Sequence, residues 1–173
     1  MITGDDLRAI CRLKATTIDR FVRPLNAAMD EFGISENVQR ETAFLAQIAH
    51  ESGGFRYARE LASGEAYEGR ADLGNTEPGD GVRFKGRGLL QITGRNNYNR
   101  VGDALGVNLI DDPSQLEYPT LACRSAAWWW ADRGLNDLAD RGDFLRITKR
   151  INGGTNGWAD RLALFERAKA QLA

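Results

Sequence analysis

Apolar residues recur along this chain at helical spacing, with little of the strict alternation a half-buried strand requires. Thr3 and Asp6 are placed as a capping box that opens a first helix. Ile18, Phe21, Leu25, Met29 and Phe32 then share one face of a second, which Gly33 ends. Ser35 is the expected cap of a third helix. Its buried stripe of Phe44, Leu45 and Ile48 runs into Glu51-Ser52 and stops at Gly53-Gly54. Residues 63–88 are rich in glycine and charge, and Pro78-Gly79-Asp80-Gly81 is a strong turn signal, so this stretch reads as irregular chain with room for a short hairpin. Thr93 is the expected cap of a helix over 96–105, and Asp112-Pro113 opens a helical turn. Further helices are predicted over 119–133, 143–151 and 157–172, the last with Leu162, Phe165 and Ala168 on its apolar side. The pattern predicts a mainly α fold interrupted by one Gly-rich loop, where function tends to sit.

The 173 residues suit a single catalytic domain over 1–173, and an apolar share of 42% supplies an ordinary core. Lysine and arginine (23) nearly balance aspartate and glutamate (24), so no field points to nucleic acid. No apolar run reaches the roughly 18 residues of a spanning helix, which argues against membrane insertion. Met1 to Asp6 carries acids where a signal peptide needs a base, so synthesis as a soluble cytoplasmic protein is expected. Cys11 and Cys123 match no zinc or redox spacing and read as free thiols. One histidine cannot extend to a second, so neither metal nor cofactor is expected.

The first chemically suggestive site is His50-Glu51-Ser52-Gly53-Gly54. Glu51 follows Ile48 by three and Phe44 by seven, hence lies on the face turned toward the core. A carboxyl beside apolar groups keeps its proton to higher pH, as a glycosidase general acid must. A glutamate merely bonded at a helix end fits the spacing as well. Glu60 lies nine residues on, and the intervening glycines break the helix, so it can return across a groove toward Glu51. An inverting glycosidase holds two carboxyl groups roughly 6.5–9.5 Å apart with a water between them. Glu65 and Glu68 compete with Glu60 for the second place.

Around Gly86-Arg87-Gly88, two glycines let backbone approach a ligand closely, and no βαβ unit makes this a nucleotide loop. Leu90 and Ile92 alternate with Gln91 and Thr93 as in an extended segment, which would turn Gln91 and Thr93 to one face as an amide and a hydroxyl. Asn152, before Gly153-Gly154, can hold an N-acetyl group or bond the fraying backbone. Trp128-Trp129-Trp130 cannot all face one way, and most of that area is assigned to core. Tyr67, Tyr98 and Trp158 lie beside loops and are the better sugar-stacking candidates.

Together His50-Glu51-Ser52-Gly53-Gly54, Gly86 to Thr93, Asn97-Tyr98 and Ile151-Asn152-Gly153-Gly154 resemble glycoside hydrolase family 19 over residues 25–172. That family contains plant-type chitinases and many phage endolysins. The resemblance implies a lysozyme-like, two-lobed helical fold with a central substrate cleft and an inverting hydrolysis. It implies that Glu51 protonates the glycosidic oxygen, that Glu60 activates water and that Thr93 helps hold that water. Gln91, Asn97 and Asn152 would line sugar sites, and His50 and Arg161 would support the carboxylates. The short interval from Glu60 to Gly86, with Tyr67-Glu68-Gly69-Arg70, resembles a compact endolysin-type version. The implied substrate is the β-1,4 glycan strand of peptidoglycan, with chitin as the alternative, for a monomeric enzyme set free at lysis. A thiol peptidase using Cys11 or Cys123 with His50, or a non-catalytic wall-binding protein, are the readings from other classes.

Overall fold

The computed structural model describes residues 1–173 and is mostly helical, with no sheet. Nine α-helices follow in order: α1 Gly4–Cys11, α2 Ala15–Glu31, α3 Val38–Glu51, α4 Asp80–Arg83, α5 Arg95–Leu105, α6 Pro119–Asp132, α7 Leu135–Asp140, α8 Phe144–Asn152 and α9 Trp158–Leu172. The expected capping box forms at α1, with Thr3 and Asp6 each bonding the other's backbone N–H. α3 starts from Asn37 instead of Ser35, because the Asn37 side-chain Oδ1 accepts from Gln39 N while the Ser35 hydroxyl turns back to Asp30. α7 is absent from the sequence reading, since at six residues it is too short to show a period. On α9, Leu162 faces solvent, whereas Arg161, Leu164 and Ala168 form the buried face.

α3 is the axis of the larger lobe. Residues 41–49 are all buried, packed chiefly against α9 and α7, and Phe44 meets Trp130 of α6 edge-on. Phe44, Leu45 and Ile48 are fully buried, each worth about 2 kcal/mol of transfer free energy. A second, smaller core gathers Phe84, Ile92, Tyr98, Val101, Leu105, Leu109 and Leu116 around α5. Phe32 and Trp129 pack against both cores, which makes them the join between two lobes.

Residues 52–94 carry the irregular chain between these cores, with 3-10 turns at Glu65–Tyr67 and Ala71–Leu73 ahead of α4. No hairpin forms within 63–88; pairing is limited to isolated bridges at its edge, where Arg87 and Ile92 exchange two backbone hydrogen bonds of 3.0 and 2.7 Å and Arg87 also pairs with Arg59. Thr93 does not cap α5. The chain turns at Gly94 (φ 90°), where a side chain would collide with Leu73, and α5 begins one residue later. Its first free N–H, on Arg95, is met by the buried Asn75 side chain at 2.9 Å, a cap supplied from twenty residues upstream.

Candidate active site

Glu51 closes α3 and emerges from the larger core with its side chain 25% exposed. Its Oε1 accepts from Arg161 Nη2 at 2.5 Å, and no hydrogen bond reaches Oε2. Arg161 is 2% exposed because the buried face of α9 carries it inward. It also donates to Gln47 Oε1 at 2.5 Å and to Asn156 O at 3.0 Å. Gln47 lies one helical turn before Glu51, fully buried, and donates to Thr148 Oγ1 of α8 at 2.7 Å. Three helices thus fix one carboxylate oxygen through a single guanidinium.

Glu60 is held by backbone pairing with the Gly86 loop, its N–H donating to Gly86 O while Gly88 N–H donates to Ala58 O. The Tyr67 hydroxyl donates to Glu60 Oε2 at 3.0 Å. Burial first, and the Glu60 bond second, hold that phenol above its ordinary pKa, so it stays a donor. Glu60 Oε1 is buried without a hydrogen-bond donor from the protein. A methyl group placed on Gly86 would lie 2.6 Å from Gln91 Oε1, 2.9 Å from Glu60 Oε2 and 3.3 Å from Thr93 Oγ1. Three oxygens that the sequence scatters over 34 positions therefore meet around one glycine. Glu68 is not among them: both its oxygens accept backbone N–H bonds, from Gly79 at 2.7 Å and Gly81 at 2.8 Å. Glu65 is exposed in its turn.

Gln91 and Thr93 share a site for a reason other than the expected extended strand. Gln91 sits at φ 52°, a left-handed turn that costs a non-glycine residue on the order of 1 kcal/mol. Its side chain folds back to donate to Gly88 O at 3.0 Å, while Thr93 Oγ1 donates to Gln91 O. Both line a cavity of about 150 Å³ with Asn97, whose amide donates to Thr93 O. The far wall is Trp128, Trp129, Arg100 and Arg133. Trp130 is fully buried, and Trp128 and Trp129 are partly buried and pack against the smaller core, so most of that area is core while the latter two also line the cavity.

Tyr98 is not a stacking surface. It is 0% exposed in the smaller core, accepts from Arg87 and donates to Lys85 O, which steadies the Gly86 loop from behind. Trp158 leans on Phe144 with ring centres 5.8 Å apart. Asn152 takes the backbone role, donating to Asn156 O at 2.8 Å, the same carbonyl that Arg161 uses. His50 turns away from Glu51 and bonds Asp160 through Nδ1 at 2.6 Å, packed against Gly157. Gln47, Thr148, Asn156 and Asp160 were missed by sequence reasoning. Only Gln47 carried a signal, the i, i+4 spacing to Glu51. Neither thiol fits a nucleophile: burial pushes Cys11 up to about 12 and Cys123 higher still, which keeps both protonated.

Residues 14–138 match the family model described as chitinase class I. A glycosyl hydrolase family 19 domain-containing protein of Haemophilus influenzae is 30% identical over 172 residues, an alignment spanning 82% of this chain and 84% of that protein. An endochitinase of Arabidopsis thaliana is 39% identical over 113 residues, 65% of this chain but 38% of the plant protein. Among solved structures, a bacterial family 19 chitinase superposes with TM-score 0.82 at 23% identity, covering 99% of this chain and 95% of that one. Chitinase C of Streptomyces griseus gives TM-score 0.81 at 23% identity, covering 99% of this chain and 76% of the other. The fold is therefore the helical, lysozyme-like one of these enzymes, and the chain belongs to glycoside hydrolase family 19.

Proposed function

We propose that the protein hydrolyses β-1,4 bonds in the glycan strand of peptidoglycan by an inverting acid–base mechanism, acting on the cell wall after release at lysis. One observation carries the catalytic reading: each of two carboxylates has one oxygen tied by a protein donor and the other without a hydrogen-bond partner. With Arg161 holding Oε1 of Glu51, a proton on Oε2 is aimed outward, ready for the leaving glycosidic oxygen. Glu60 Oε1 is an acceptor in search of a donor, and a water there loses its proton to it while attacking the anomeric carbon. The Thr93 hydroxyl and the Gln91 amide oxygen, gathered beside Glu60, orient that water. The C1–O bond breaks as the new one forms, and the two carboxyl groups finish with their protonation states exchanged.

Hydrolysis of chitin is the second reading, favoured by relatives named endochitinase and chitinase. Both polymers present N-acetylated sugars in β-1,4 linkage, so the same two carboxylates serve either. Glu51→Gln and Glu60→Gln should each lower release of reducing ends from peptidoglycan by about 10²-fold or more, with an unchanged circular dichroism spectrum. Wild-type products, read by proton NMR within the first minutes, should appear as the α-anomer. Activity in Glu51→Gln, or a β-anomeric product, would refute the mechanism. Faster cleavage of N-acetylglucosamine oligomers than of peptidoglycan would shift the substrate to chitin.

A further inference from the structure

The wall of the cavity opposite Gln91, Thr93 and Asn97 is an aromatic and cationic surface that neither carboxylate needs. Trp129 lies half-buried and packs against both hydrophobic cores, so its ring is a fixed platform. The Arg133 guanidinium stacks on that ring at 3.8 Å from its centre. Beside it, Arg100 lies 5.5 Å from the Trp128 ring centre.

The charges do not balance. Asp132 is the one acid paired with these arginines, and Arg100 Nη2 takes both its oxygens at 2.8 and 2.9 Å. What remains for Arg133 is a single 3.4 Å approach through Nη1, leaving Nε and Nη2 without acceptors. Its side chain is 29% exposed, and desolvation draws its pKa below the ordinary guanidinium value. A guanidinium stays charged even so. A partly desolvated fork with two idle donor groups beside a sugar-sized cavity is therefore matched by a carboxylate, which it can grip in bidentate fashion. Arg150, which donates to the Arg133 carbonyl at 2.7 Å and holds no ion pair, adds further positive charge behind it.

We propose that Arg133, seated on Trp129, is a subsite for a substrate carboxylate, and that this carboxylate belongs to the peptide stem of peptidoglycan. Chitin carries no such group. The inference rests on the reading of Glu51, Glu60 and Thr93 as the catalytic centre, because the subsite shares its cavity with Thr93 and Gln91. It makes Arg133 a specificity determinant: it selects a charged glycan and takes no part in bond cleavage.

The test uses three polymers: purified peptidoglycan sacculi, the same sacculi with stem carboxylates converted to amides by carbodiimide and ammonia, and the hexamer of N-acetylglucosamine. Binding is measured in a Glu51→Gln background, where the polymer persists, and hydrolysis in the active enzyme. Arg133→Gln should weaken binding to unmodified sacculi about tenfold and lower kcat/KM on them alike. It should leave amidated sacculi and the hexamer within about twofold, since no carboxylate is there to lose. Asp132→Asn, which removes the competing acid, should tighten binding to unmodified sacculi only. Unchanged affinity of Arg133→Gln for unmodified sacculi, an equal loss on all three polymers, or a loss of binding in Asp132→Asn would overturn the assignment. Hydrolysis persisting in Glu51→Gln would instead sink the catalytic reading, a result separate from the binding arm.

Discussion

At the scale of single residues, the two carboxylates are distinguished by what holds them. Glu51 depends on Arg161, and Arg161 depends in turn on Gln47, a side chain with no exposure. Gln47→Leu leaves a buried guanidinium nitrogen and the Thr148 hydroxyl without their partner. That should cost about 1–3 kcal/mol in urea unfolding. If Arg161 then shifts, kcat should fall with little change in KM, because the loss is in proton delivery and not in sugar binding. Gly86→Ala is the corresponding test at Glu60. Its methyl group would press on three oxygens at 2.6–3.3 Å, so activity should drop at least tenfold while thermal unfolding moves only a few degrees. Of these residues Glu51, Glu60 and Thr93 were legible as a motif in the sequence. The convergence on Gly86 was not, because it depends on pairing between segments 58–60 and 86–92 that no local pattern encodes.

At the scale of elements, the Gly-rich segment keeps its shape through polar contacts that add to the apolar anchors Phe84 and Ile92 of the smaller core. Glu68 caps the backbone N–H groups of Gly79 and Gly81 at the start of α4, and Asn75 caps α5. Asp80 is 1% exposed and takes two bonds from Arg95, at 2.5 and 2.8 Å. Arg95 holds the Asp80 carboxyl below its usual value of 3.8. Asp80→Asn strands a guanidinium in a partly buried site and should destabilise the fold by about 3 kcal/mol in urea unfolding. Hydrogen exchange in residues 63–94 should accelerate more than in α3. Glu68→Ala should likewise loosen this segment yet keep measurable hydrolysis, whereas Glu60→Gln removes hydrolysis and leaves exchange rates unchanged. Helix existence here was readable from periodicity. The cap of α5 was not, since Thr93 has the right chemistry one residue too early and Asn75 supplies it from another turn.

At the scale of the whole molecule, ion pairs between arginine and carboxylate join distant elements: Arg124 with Glu31 links α6 to α2, and Arg40 with Asp140 links α3 to α7. Their carboxyls, like that of Asp80, are held below the ordinary values of 3.8 for aspartate and 4.5 for glutamate. A folded-state value below the unfolded one stabilises the protein above that range and is lost as pH falls through it. Stability should therefore hold from neutrality to about pH 5 and decline steeply below about pH 4. Glu31 and Asp140 are 40% and 33% exposed, so each contributes at most about 1 kcal/mol, and Asp80→Asn should remove most of the acid dependence. Cys11 and Cys123 should resist thiol reagents at pH 8 in the folded protein and react after unfolding, because burial keeps both protonated.

The sequence alone determined that the chain is helical, that a Gly-rich segment interrupts the helices, and that Glu51 stands at a helix end with Glu60 beyond two glycines. Those properties follow from spacing and from residues whose backbone preferences act locally. The tertiary structure decided the hydrogen-bond partner of each acid: a guanidinium on Glu51 and a tyrosine hydroxyl on Glu60. It also decided the core position of Tyr98 and tied both Glu68 oxygens to backbone N–H groups. Charge and hydrogen bonding act between side chains that the fold brings together from far along the chain, 110 residues for Glu51 and Arg161, a separation over which local pattern carries no information.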